Sequence, residues 1–146
     1  MDSGPIVIFR RAPKTLRRQA VREFARTLAA RMTGERPFCC LVTTDDELQR
    51  LNRQFRGKDT PTDVLSFPAS GADSIGDVAI SSDRAAHQAA EFGHDMETEV
   101  RILMLHGVLH LLGHDHESDG GAMRRVEMRW RKELDLPAGL IERARS

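Results

Sequence analysis

Four of the six histidines fall within one short run: His106, His110, His114 and His116. His106 and His110 stand four residues apart, so on a helix their imidazoles stack on one face, close enough to share one metal ion. Gly113 suits the left-handed conformation that ends a helix. Beyond it the chain can turn back and bring His116 to the same ion. Three neutral imidazoles leave a fourth coordination position open, as catalytic rather than structural sites do. They also leave the full 2+ charge on the ion to polarise whatever enters that position. Zinc is the expected ion, one per chain, although imidazole also suits copper and nickel. Asp115 reads either as a partner fixing an imidazole tautomer or as a turn residue. His114 reads as solvent-facing.

The spacing H-x3-H-x2-G-x2-H is that of the metzincin proteases, in which the residue after the first histidine is a glutamate acting as general base. Here that residue is Gly107. The metal cage is intact but the base is missing, which disfavours a conventional zinc peptidase.

A second group of residues suits phosphate. Arg56 closes an expected helix just before Gly57, where a guanidinium can fork a phosphate. Arg50, Arg53 and Lys58 stand near it and can seed a basic groove; from charge alone, a solvated helix face is the competing reading. Asp59 to Asp63 read as a loop ordered by side-chain-to-backbone hydrogen bonds. Asp77 fits equally a carboxylate supporting the metal site and a strand-turn residue. Trp130 reads as core rather than as a platform for a base.

These residues need a scaffold, and periodicity supplies one. Pro5 to Arg10 and Phe38 to Thr43 read as strands. Thr15 to Met32 reads as a helix with Leu16, Ala20, Phe24, Leu28 and Met32 on one face and Arg17, Arg18, Arg22 and Arg26 between them. Thr44-Asp45-Asp46-Glu47 forms a capping box opening a helix through Leu48, Leu51 and Phe55. Val64 to Phe67 and Val78 to Ile80 are two further strands, and helices follow over about 82–93, 97–112 and 118–134. This order predicts a single α+β domain over 1–146, with a mixed sheet of about four strands packed with helices. Residues 1–4 and about 138–146 are expected to fray.

Composition narrows the function classes. The 146 residues hold 22 basic and 22 acidic side chains, so a polybasic mode of nucleic-acid binding is excluded, while a local basic face is not. Mean hydropathy is −0.44 and no apolar run approaches the length of a membrane span. No secretory signal is visible at the N-terminus. Cys39 and Cys40 are neighbours on a strand, point to opposite faces and read as reduced packing residues of a cytoplasmic protein.

The run HGVLHLLGHDH at 106–116 resembles the HGxLHLxGYDH signature of the YbeY family of bacterial rRNA-maturation endoribonucleases. Residues 52–68, NRQFRGKDTPTDVLSFP, are similar to that family's N-x2-[YF]-R-x-K-D-x-P-T-[DN]-V-L-S-F-P segment, and Gly76 to Ile80 to its G-D-[IV]-x-I strand. The three blocks occur in the family's order, and the likeness spans about residues 37–134. Within the signature the departure is His114, where the family usually has tyrosine.

The resemblance implies a single-domain metalloprotein with zinc on His106, His110 and His116. It places the functional arginine at Arg56, with Arg53 and Lys58 beside it as RNA-binding residues. It also implies single-strand-directed RNA cleavage, maturation of the 3′ end of small-subunit (16S) rRNA, and ribosome quality control. The expected partners are rRNA precursor, the small subunit and its assembly proteins, with neither DNA nor membrane. Two alternatives remain open at this point: a non-catalytic ribosome-assembly factor stapled by its metal, and a zinc peptidase.

Overall fold

A computed structural model describes residues 4–70, 73–114 and 121–137. The elements run β1 (Ile6–Phe9), α1 (Arg18–Met32), β2 (Phe38–Thr43), α2 (Asp45–Arg56), β3 (Val64–Pro68), β4 (Gly76–Ser81), α3 (Ser82–Phe92), α4 (Met96–Leu111) and α5 (Ala122–Glu133). The expected α+β domain with a four-stranded mixed sheet is present, with five helices. The expectations for residues 1–3, 118–120 and 138–146 lie outside the described residues.

The strands lie in the order β1-β2-β4-β3, with β1, β2 and β4 parallel and β3 antiparallel to β4. Side chains alternate across the sheet. One face carries Val7, Cys40, Val42, Val78 and Ile80, which pack with α1 and α4 into the main core around Leu28, Leu103 and Leu105. The other face packs Leu65 and Ala79 under Leu48 of α2.

Local signals account for the boundaries. Thr44 Oγ1 accepts from the Glu47 N–H at 3.2 Å and caps α2. The Glu47 carboxylate does not complete a reciprocal box; it accepts from Thr43 Oγ1 at 2.7 Å and pairs with Arg10 and Arg50. Asp95 caps α4, accepting from the Thr98 N–H at 2.9 Å. Helix α1 starts three residues later than its periodicity suggests, because Pro13 to Leu16 form a turn first.

Cys39 and Cys40 are free thiols on opposite faces of β2, as expected. Burial, together with the Asp77 carboxylate, raises the Cys39 thiol, and burial raises Cys40 far more. Neither is poised as a nucleophile. Trp130 packs against the core, with the Arg31 guanidinium 5.5 Å from its ring centroid.

Candidate active site

Helix α4 is apolar on nearly every side and buried along most of its length. Its last two turns present His106 and His110, whose rings meet edge to face with centroids 4.8 Å apart. Their Nε2 atoms converge to 3.2 Å. The helix then ends as expected at Gly113, which takes φ +96°. The N–H of Gly113 donates to the His110 carbonyl and that of His114 to the Leu109 carbonyl, a paired closure that turns the chain away. His114 is half-buried there. Asp115 and His116, and with them the third expected ligand, lie outside the described residues.

His106 is fixed from behind. Its Nδ1–H donates to Glu127 Oε2 at 2.7 Å, and the Glu127 side chain is only 2% exposed. That bond leaves the Nε2 lone pair of His106 facing His110. A carboxylate holding the distal nitrogen of a histidine is the usual support of a ligating imidazole. No motif in the sequence marks Glu127, and the acid nearest the histidines along the chain is Asp115. The available signal was an acid four residues after Met123, on the face of α5 that turns inward.

The histidines open into a cleft of about 410 Å³ lined by Arg56, Thr62, Asp63, Val64, Ser66, Pro68, His106 and His110. Arg56 projects from the end of α2 into this space, so the structure brings it together with both histidines. Arg53 and Lys58 are exposed near the same helix end but do not line the cleft. Arg50 lies a turn and a half earlier on α2 and is paired with Glu47 at 2.5 Å. Asp63 accepts from Gln88 Nε2 at 3.3 Å. Asn52 Nδ2 donates to the Thr60 carbonyl at 3.0 Å and ties the intervening loop back onto α2.

Asp77 stands elsewhere. It shares a hollow with Cys39, Phe55 and Phe67 on the α2 side of the sheet, opposite α4. It therefore does not support the histidines, and the strand-turn reading holds. A second histidine–carboxylate pair among the described residues, His94 Nε2 and Glu99 Oε1 at 2.6 Å, lies near the opposite end of α4.

Gly107 sits where α4 presses on the sheet. A Cβ there would stand 2.6 Å from Val78 Cγ1, 3.1 Å from Val78 Cγ2 and 3.2 Å from Ser66 Oγ. Ser66 Oγ also donates to the Gly107 carbonyl at 2.9 Å. The position that holds the general base in a metzincin is thus filled by the neighbouring strand, and a glutamate has no room in it.

Comparison with known proteins gives this arrangement a lineage. The family model described as Endoribonuclease YbeY matches residues 9–135. This chain belongs to the YbeY family. A YbeY relative from Solibacter usitatus is 61% identical over 143 residues, covering 98% of this chain and 97% of its own. One from Koribacter versatilis is 59% identical over 103 residues, covering 70% and 68% respectively. Both carry the name Endoribonuclease YbeY. A Thermotoga maritima protein solved in solution shares the fold, with a TM-score of 0.63 and 27% identity over 89% of this chain and 88% of that one.

The donor set of this YbeY protein suits zinc: two convergent imidazole nitrogens, one held in its ligating tautomer by a buried carboxylate. Among the described residues no group of three or more His, Cys, Asp or Glu side chains forms a complete cage. No helix among them is long and apolar enough to cross a membrane.

Proposed function

We propose that this chain is a zinc-dependent, single-strand-specific endoribonuclease acting in maturation of the small-subunit rRNA 3′ end and in ribosome quality control. The observation that carries the reading is one cleft shared by Arg56, His106 and His110, with Glu127 locking His106 from behind. Family membership, and relatives named for endoribonuclease activity, supply the substrate class.

His106 and His110, with His116, would hold one zinc ion, which when bound supplies a Lewis acid beside the scissile phosphodiester. Arg56 lines the same cleft, where its guanidinium would fork the phosphate and balance charge developing on the non-bridging oxygens. Glu127 keeps the His106 proton on Nδ1, so that Nε2 stays available as a ligand. The narrow packing at Gly107 removes the peptidase base from this scaffold. Among the described residues that line the cleft is the Asp63 carboxylate, anchored by Gln88. The working compartment on this reading is the cytoplasm, and the partners are rRNA precursor, the small subunit and its assembly proteins.

The competing assembly-factor reading keeps the metal as a staple without chemistry. Cleavage of single-stranded RNA by protein free of trace ribonuclease separates the two. We expect His106→Ala and His110→Ala to lose zinc and cleavage together. Variants of equal purity that cut at the wild-type rate would refute the catalytic reading and leave the assembly role.

A further inference from the structure

The chain is neutral overall, yet its charge is unevenly placed. Residues 10–31 contain eight Arg and Lys residues and one acid, Glu23, a local charge of +7. They run from the end of β1 through α1, on the far side of the sheet order from the β3 strand that borders the cleft.

Three of these cations are spoken for: Arg10 pairs with Glu47, Arg17 with Glu97 and Arg31 with Glu133. Among the described residues Arg11, Lys14, Arg18, Arg22 and Arg26 pair with no carboxylate, and all five are exposed. Arg18 and Arg22 are nevertheless ordered. Their guanidinium carbons lie 5.1 and 5.0 Å from the centroid of the Phe9 ring. An aromatic ring that holds guanidiniums by their faces leaves their N–H edges free for phosphate oxygens.

The row of like charges is not needed to pack α1. Helix α1 packs through Val21, Phe24, Ala25, Leu28 and Ala29, and the arginines lie outside that face. Like charges four residues apart repel, and positive charge in the first turn opposes the helix dipole. The stripe Arg18, Arg22 and Arg26 advances about 6 Å per step along the helix. A regular row of unpaired guanidiniums, kept against its own repulsion, fits a regular row of negative charges.

We infer that Arg18, Arg22 and Arg26 on α1, with Arg11 and Lys14 in the segment leading into it, form a second docking surface, which binds the phosphate backbone of substrate RNA extending beyond the cleft. The inference rests on the ribonuclease reading and extends it. Phe9 and the cleft-lining strand β3 lie three strand spacings apart, about 14 Å across the sheet. A short oligonucleotide can occupy the cleft alone, whereas a longer precursor reaches both surfaces. Recognition there is of phosphate, without regard to sequence.

The test compares two RNAs, a short single-stranded oligonucleotide and a long precursor containing it, by fluorescence anisotropy across a salt series. The full chain is used with its metal. We expect the wild type to bind the long RNA at least tenfold more tightly at low salt. Arg18→Gln/Arg22→Gln/Arg26→Gln should lose that advantage and lower the slope of log K against log salt by about 2, at roughly 0.7 per phosphate of single-stranded RNA. Its binding of the short oligonucleotide should match the wild type. Arg11→Gln/Lys14→Gln leaves the Phe9 stack untouched and should lower the slope by about 1, so a folding defect in the triple variant does not decide the matter.

Wild-type affinity and slope in both variants would overturn the proposal. So would unchanged RNA binding with lost retention on poly-glutamate, which would assign the surface to an acidic polypeptide. Equal binding of long and short RNA by the wild type removes this surface alone. Binding of neither RNA removes the ribonuclease reading beneath it.

Discussion

Glu127 Oε2 accepts a 2.7 Å hydrogen bond from His106 Nδ1, joining α5 to α4 across 21 residues of chain. The bond decides which nitrogen of His106 faces the cleft. It also explains how a glutamate comes to lie buried on an amphipathic helix: its partner is a buried histidine whose other nitrogen faces His110.

Glu127→Gln should therefore weaken zinc binding while leaving the fold in place. Loss of a carboxylate behind a ligating histidine typically costs about 10–100-fold in metal affinity. Competition titration against a zinc chelator measures this directly. Unchanged affinity would mean that the carboxylate serves packing only.

Gly107→Ala tests the close approach of α4 to the sheet. Alanine gains up to about 1 kcal/mol in helix propensity. Its Cβ meets Val78 Cγ1 at 2.6 Å, and a β-branched side chain in a buried strand has little freedom to yield. Overpacking of this kind costs about 1–3 kcal/mol, so the net effect should be a lower melting temperature. Val78→Ala in the same chain should recover part of the loss, and strictly additive effects of the two substitutions would contradict a direct clash.

Arg56→Ala separates chemistry from structure. Arg56 is exposed and ligates nothing, so stability should change by less than about 0.5 kcal/mol and zinc content should not change. Losing a charge-stabilising group from a transition state typically lowers kcat by about 100–1,000-fold. Zinc content, thermal unfolding and RNA cleavage measured on one preparation show whether these effects part company. Wild-type cleavage would remove Arg56 from the site.

Asp95 anchors the start of the helix that ends in the histidines. Hydrogen bonds from the Thr98 hydroxyl and N–H hold its carboxyl below the ordinary range. A carboxyl so lowered contributes stability that is complete above its ordinary value, near pH 4, and lost as pH falls through the lower folded value. Asp95→Ala should cost about 0.5–2 kcal/mol at neutral pH. Asp95→Asn should keep most of the cap while losing this part of the acid dependence, as unfolding curves at neutral and acid pH would show.

The sequence by itself determined the local order. Period and capping residues placed all nine elements, the i, i+4 spacing put His106 and His110 on one helix face, and Gly113 marked where that helix ends. These follow from contacts between residues a few positions apart, which a linear pattern records. Three motif blocks in a fixed order pointed to the family as well.

Tertiary structure decided which distant groups meet. It packed α4 against the face of β4 that carries Val78 and Ile80, which leaves Asp77 on the opposite face, away from the histidines. Arg56 at the end of α2 lines the cleft, whereas Arg53 lies one helical turn back with its guanidinium 4.0 Å from the Asp59 carboxylate, and Lys58 lies beyond the Gly57 cap. Glu127 was not legible as a site residue, and although the sequence marks Gly107 as the missing base, the close packing that keeps a base out was not legible either. One acts through a hydrogen bond across a helix pair, the other through the space a strand leaves it. Such contacts depend on how finished elements pack together, which the period within each element does not record.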